Sequence, residues 1–260
     1  MIAIKDWHEL AAMRSAGAKL AEVVARVRPQ LAVGMTTDDL DRLSEEAILA
    51  LGAKPAFKGY RVGKAVFPKS LCVSINEQVV HGIPGRRRIR EGDIVSVDFG
   101  LVDVSGYYAD TAYTVAMPGA DDAGAALVSV TEAALGEAIE RARPGLRIGD
   151  IGHAVQTYVE SRGYSVVTQF VGHGIGRRLH EEPSVPNFGK AGTGYLLKAG
   201  MVLAIEPMVT LGGGRTKVLK DEWTVVTEDG SRSAHFEHTV AITPSGPQVL
   251  TVLDSASPIR

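Results

Sequence analysis

A single cysteine, Cys72, stands among 260 residues, so no intramolecular disulfide can form. That fits a reducing compartment. No apolar run is long enough to span a bilayer, and no charged-then-apolar leader opens the chain, which therefore reads as cytoplasmic. Neither sign of charge dominates: 28 Lys and Arg against 30 Asp and Glu give a net charge of −2. There is accordingly no electrostatic case for DNA or an anionic membrane as the main partner. The local exception is Arg86, Arg87, Arg88 and Arg90, a short basic run that reads as a solvated loop face. Low-complexity tracts and linkers are missing too, and Gly212-Gly213-Gly214 reads as a tight connection between strands.

What is present suits a soluble enzyme with a large core: 45% hydrophobic and 22% charged residues. Residues 6–27 predict an amphipathic helix, with Asp6 and Glu9 as a capping box, Leu10, Met13, Gly17, Leu20 and Val24 at helical spacing, and Pro29 closing it. A second helix follows Thr37 and stops at Gly52. Residues 123–142 and 149–162 predict another helical pair, separated by Arg143-Pro144-Gly145. Strand patterns cover 70–80, 93–101, 106–117, 165–170, 201–210, 222–228 and 235–243. Helices then strands, twice over, indicate an α+β chain built as one catalytic domain over 1–260. Its two halves, about 1–120 and 121–260, suggest an internal duplication.

Asp98, Asp110, His173, Glu206 and Glu237 sit in apolar or glycine-rich stretches such as DIVSVDFG, FVGHGIG and MVLAIEPM. An ionised carboxylate buried there is costly unless a cation or hydrogen bonds compensate it. Asp98 and Asp110 flank the turn Asp103–Gly106, so a hairpin lets both reach one face of neighbouring strands. Four carboxylates and one imidazole can hold two divalent ions and favour Mn, Fe(II), Co or Zn over a thiolate-preferring metal. Asp110 alone reads as a surface residue at a strand end, and no local H-E-x-x-H motif is present, so spacing leaves the ligand set open. His173 and His180 lie among glycines that permit close backbone approach, and His81 ends a strand before a turn. His8, His153 and His235 read as surface or structural. His238, next to Glu237, should face the other side of its strand.

The motifs SLCVSINEQVVHGIPG, GDIVSVDFG, GYYADTAYTV, GHGIGRRLHEEP, MVLAIEPM and DEWTVVTEDGSRSAHFEHTVAIT together resemble the type I methionine aminopeptidases, over roughly residues 4–252. The resemblance implies the pita-bread fold, a pseudo-two-fold antiparallel sheet with two helix pairs on its outer face. It implies co-translational removal of N-terminal methionine before a small second residue, from the methionyl peptides of nascent proteins. Asp98, Asp110, His173, Glu206 and Glu237 would bind two divalent ions, with Glu206 also the general base. His81 and His180 would contact substrate at the scissile bond. Tyr60, Phe67, Cys72, Phe170 and Trp223 would line the methionine pocket. A monovalent cation (Na or K) would sit near Asn76 and Ser233. Transient contact with the ribosome is a further expectation, with Arg86–Arg90 one candidate surface, and the default oligomeric state is monomer.

The chain departs from the family at the pocket. Phe57 stands where many bacterial members carry cysteine, the Tyr60–Phe67 stretch is longer than usual, and Phe170 replaces a commoner tyrosine. Other readings are a paralogue with shifted first-residue preference and an Xaa-Pro peptidase of the same fold, which usually carries a large leading domain. A non-catalytic peptide- or RNA-binding protein, which typically loses ligands, is the remaining alternative.

Overall fold

In a computed structural model describing residues 2–253, four helices cover one side of a sheet that runs through both halves. Helix α1 (Trp7–Val27) starts as its sequence dictates. Asp6 accepts from Glu9 N at 2.9 Å, and the Glu9 carboxylate takes the Asp6 amide in return. Its inner face buries Leu10, Met13 and Leu20. Gly17 is required there, since a Cβ would lie 2.3 Å from the Leu250 carbonyl. Helix α2 (Thr37–Ala50) is capped by Thr36, one residue before the expected start, and Gly52 at φ +70 ends it. Helices α3 (Asp122–Glu140) and α4 (Ile148–Glu160) form the second pair.

The nine-stranded sheet is antiparallel at every pairing among the described residues. Its first half is the long hairpin Ile94–Val102 and Tyr108–Ala116, flanked by Leu71–Ile75. Its second half is Glu237–Thr243, Val202–Ile205, Gly172–Gly174 and Glu181–Val185. The halves meet where Tyr108–Ala116 pairs with Glu237–Thr243 through Glu237↔Ala112 and His238↔Thr111. Two reciprocal threonines tie that seam: Thr111 Oγ1 donates to the Glu237 carbonyl at 2.7 Å, and Thr239 Oγ1 to the Asp110 carbonyl at 2.8 Å.

Strand alternation decides which face each residue takes. Val95, Val97, Phe99 and Leu101 point into the helix-covered core, as do Ala109, Tyr113, Leu203, Ile205, Val240 and Ile242. Their neighbours Asp98, Asp110 and Glu237 are left for the opposite face. The α+β class and helix-strand order match expectation, and five expected strands prove shorter or broken, among them 70–80, which divides into Leu71–Ile75 and Gln78–Val80, and 222–228, which retains only Val225–Thr227. The 201–210 strand divides into Val202–Ile205 and Met208–Thr210 at Glu206-Pro207, because proline has no amide for the ladder. The 235–243 strand breaks at Phe236, and 165–170 retains only Ser165–Val166.

Candidate active site

On the open face of the sheet lies a cavity of about 260 Å³. Eleven of the twelve residues nominated from sequence line it: Asp98, Asp110, His173, Glu206, Glu237, His81, His180, Tyr60, Phe67, Cys72 and Trp223. Phe57, Val62 and Leu179 complete the lining. Phe170 is not among the lining residues. Its ring packs with Val79, Val80, Val167, Met208 and Val225 and meets His81 edge-on at 5.8 Å.

Each acid owes its place to a particular strand. Asp98 pairs with Cys72 on one side and Ala112 on the other, so the side chains of Cys72, Asp98 and Ala112 share a face. Glu237 lies opposite Ala112 across the seam, two residues along from Asp110. Glu206 continues the alternation of Val202 and Ala204 one step past the end of its strand. Asn187 Nδ2 pins its backbone by donating to the Glu206 carbonyl at 2.9 Å. His173 occupies a strand squeezed between two others. A Cβ at Gly172 would lie 2.4 Å from the Ala204 carbonyl, and one at Gly174 would lie 2.2 Å from the Glu182 carbonyl. His81 holds φ +58, a left-handed conformation uncommon outside glycine that concentrates at functional sites.

The electrostatics are those of acids crowded together out of water. Burial pushes the Asp98 carboxyl up to about 7 and the Glu206 carboxyl up to about 8. Asp110 and Glu237 are raised well above the ordinary range, by burial first and then by the neighbouring acids. Burial holds His173 down at about 3 and His81 at about 4, and also lowers His180. His173 is therefore a neutral imidazole. Its Nδ1–H donates to the Gly174 carbonyl at 2.9 Å, which leaves the Nε2 lone pair facing Glu206 Oε1 at 3.6 Å and Asp110 Oδ2 at 3.9 Å.

These residues fit divalent metal on the evidence of their own unmet bonding. Asp98 Oδ1, Asp110 Oδ1 and Glu237 Oε1 are buried without a hydrogen-bond donor among the described residues. Ligand atoms of Asp110, His173 and Glu237 lie within 4.8 Å of one another. Oxygen and imidazole donors, with no thiolate in the set, suit Mn, Fe(II), Co or Zn. Cys72 stays a buried thiol whose ionisation is pushed up by burial and then by Asp98.

Around this floor the walls are apolar. Phe67 meets Trp223 edge-on at 5.2 Å and Phe57 at 6.5 Å. Phe57 has room because position 100 is glycine, whose added Cβ would fall 2.5 Å from the Phe57 ring. The residues after Tyr60 form a two-rung hairpin, Arg61–Val62 with Ala65–Val66, and it brings Val62 to the cavity. The Tyr60 hydroxyl lies 2.6 Å from His180 Nδ1, and the His180 and His173 ring centroids are 4.2 Å apart.

Asn76 and Ser233, expected near a monovalent cation, do come together. Asn76 stands at φ +60 and its carbonyl accepts from Ser233 N at 2.8 Å, while Ser233 Oγ donates to the Gln78 carbonyl at 2.9 Å. His8 and His153 are on the surface as expected, and His238 turns away to Thr251 Oγ1 at 2.9 Å. His235 corrects the sequence reading. It is 2% exposed, its Nε2 lies 3.6 Å from Glu206 Oε2, and it belongs to the site. The strand breaks at Phe236, between His235 and Glu237, so alternation along the sequence could not place it.

The description of metallopeptidase family M24 matches residues 11–244. A methionine aminopeptidase of Clostridium perfringens is 48% identical over 253 residues, covering 97% of this chain and all of the relative. Methionine aminopeptidase 1 of Bacillus subtilis is 46% identical, over 96% of this chain and 99% of the relative. The crystal structure of a methionine aminopeptidase from Thermotoga maritima superposes with a TM-score of 0.93 at 47% identity, covering 97% of this chain and 100% of that one. A prolidase from Pyrococcus horikoshii, at 21% identity and TM-score 0.74 over 95% of this chain and 63% of that one, shares the fold.

Proposed function

The chain belongs to metallopeptidase family M24 and, within it, to the type I methionine aminopeptidases, metal-dependent enzymes with the pita-bread fold; from that premise we propose how it removes N-terminal methionine. The substrate is a nascent chain whose second residue is small, processed in the cytoplasm during synthesis by one catalytic domain. Asp98, Asp110, His173, Glu206 and Glu237 hold two divalent ions, and a monovalent cation sits at the Asn76–Ser233 turn. The observation that carries the reading is the group of buried carboxylate oxygens without donors beside a metal-ready imidazole, at the floor of an apolar cavity.

Divalent ions bound there supply positive charge for activating water and polarising the peptide carbonyl. Glu206 takes the proton of the attacking water as general base. The Tyr60 hydroxyl, donating to His180 Nδ1, fixes the tautomer with hydrogen on Nε2, and that N–H stabilises the tetrahedral oxyanion. His81 holds the amide nitrogen of the second residue. The free α-amine is placed near Asp98, which confines cleavage to the first residue. Phe57, Phe67, Cys72, Leu179 and Trp223 surround the thioether, a soft group well suited to aromatic edges.

The test is to offer metal-free protein a panel of X-Ala-Ser and X-Pro-Ser peptides, with Mn(II), Co(II), Fe(II) or no metal added. Metal-dependent release of methionine alone is the expected result. Release of another first residue would keep the chemistry and overturn the specificity. No release with two ions bound per chain would overturn the reaction itself.

A further inference from the structure

Glu206 lies between two imidazoles that meet it in different ways. On the Oε1 side, the His173 Nε2 at 3.6 Å presents a lone pair, because Nδ1 has given its hydrogen to the Gly174 carbonyl. A lone pair and a carboxylate oxygen repel unless a cation stands between them. On the Oε2 side, His235 Nε2 also lies at 3.6 Å. That nitrogen is buried and has no hydrogen-bond partner among the described residues. It is not among the ligand atoms that cluster within 4.8 Å.

His235 is held firmly where it is. Its strand, Ser233–His235, pairs with Met208–Thr210 in the register Met208↔His235, just past the Glu206-Pro207 break. From the other half, Thr114 Oγ1 donates to the His235 carbonyl at 2.7 Å and accepts the His235 amide at 2.9 Å. The separation from Oε2 exceeds a hydrogen bond by a few tenths of an ångström, roughly what a small turn of a carboxylate covers.

We propose that His235 is a positioning residue for Glu206: in the metal-loaded enzyme its Nε2–H donates to Oε2, holding that carboxylate with Oε1 toward the metal. The proposal rests on the metal-dependent reading above. An N–H on the free oxygen of a ligating carboxylate fixes its rotation, and such outer partners govern metal affinity as well as rate. One carboxylate thus meets metal on one side and a fixed donor on the other.

The experiment compares wild type with His235→Leu and His235→Gln, whose amide nitrogen restores a donor without a ring. Mn(II) affinity is read by titration calorimetry, and kcat and KM on Met-Ala-Ser are read at saturating Mn(II). His235→Leu should lose about 10- to 100-fold in Mn(II) affinity. It should also lose kcat at saturating metal, with KM little changed, and His235→Gln should recover most of both. A Leu variant that matches wild type in affinity and kcat, or a folded Gln variant as damaged as Leu, overturns the proposal. A variant-free measurement guards against misfolding. In Zn(II)-loaded wild type labelled with 15N-histidine, the His235 Nε2 should carry a slowly exchanging proton. A bare Nε2, or one bound to the ion, overturns it. Should wild type bind no divalent ion and release no methionine, the parent reading fails first and this inference with it.

Discussion

Two sets of buried acids in this molecule are matched in burial and opposite in bonding. Asp41, Asp93 and Asp103 are 5%, 8% and 7% exposed, and Asp110 and Glu237 are 4% and 2% exposed. The first set is fully engaged. Asp41 accepts the amides of Ser70 and Leu71 at 2.7 and 3.2 Å, Asp93 accepts Asn76 Nδ2 and Arg90 N, and Asp103 is paired with Lys19 and Ser105. The second set has oxygens with no donor. Burial raises the Asp103 carboxyl, but Lys19 and Ser105 bring it below its ordinary value, whereas burial and mutual repulsion leave Asp110 and Glu237 well above theirs. Burial alone therefore says little about function. A buried carboxylate with its donors supplied locally is structural, and one left without donors awaits a cation.

The contrast can be tested at its extremes. The largest effect should come from Glu206→Gln, which keeps a metal-facing oxygen and removes the base: kcat at saturating Mn(II) should fall by about 10² to 10⁴. A variant with near-normal turnover would take the base role from Glu206. Next, Asp110→Asn should weaken Mn(II) binding by more than about 100-fold, beyond the loss typical of an outer partner. In the metal-free protein the same change relieves like-charge crowding, so its thermal midpoint at about pH 8 should hold steady or rise. A marked fall there would make Asp110 a structural acid like the others. Asp41→Ala is the counterpart: it should leave Mn(II) affinity alone and cost about 1–3 kcal/mol in urea unfolding, because two amides lose their acceptor.

A smaller effect concerns pH. The carboxyls of Asp98 and Glu206 are raised on folding, from ordinary values of 3.8 and 4.5 to about 7 and about 8. The folded metal-free protein then holds more protons than the unfolded chain. Its stability is full below the unfolded values and falls as pH rises through about 7 to 8. Thermal scans of metal-free protein should show the midpoint dropping between about pH 5 and about pH 8, and saturating Mn(II) should flatten the drop. A midpoint that rises over that interval without metal would contradict the crowded-acid picture. The smallest change is Tyr60→Phe, which removes one hydrogen bond to His180 and should lower kcat by about two- to tenfold while metal binding stays unchanged. An unaltered kcat would leave the His180 tautomer to some other partner.

Of the candidate ligands, the N-terminal pair was the more legible in the sequence. Asp98 and Asp110 sit in long, regular strands joined by a short turn, so alternation and hairpin spacing place them on one face. The C-terminal ligands stand where strands break, Glu206 before Pro207 and Glu237 after Phe236, and alternation read across a break loses its authority. That is why His235 was passed over. Phe57 shows the same limit. Its fit depends on Gly100, a residue on a different strand 43 positions away.

By itself the sequence determined the helix-then-strand order of both halves, the caps at Asp6 and Gly52, and the face of each residue within an unbroken strand. These are local properties, set by backbone sterics, capping and a two-residue period. The tertiary structure alone decided that Glu237 lies opposite Ala112, that His235 stands beside Glu206, and that three acids share a cavity with oxygens that have no donor among the described residues. Such facts depend on the register between segments far apart in the chain, Ala112 with Glu237 and Met208 with His235, held across the seam by Thr111 and Thr239, and no local pattern carries that information.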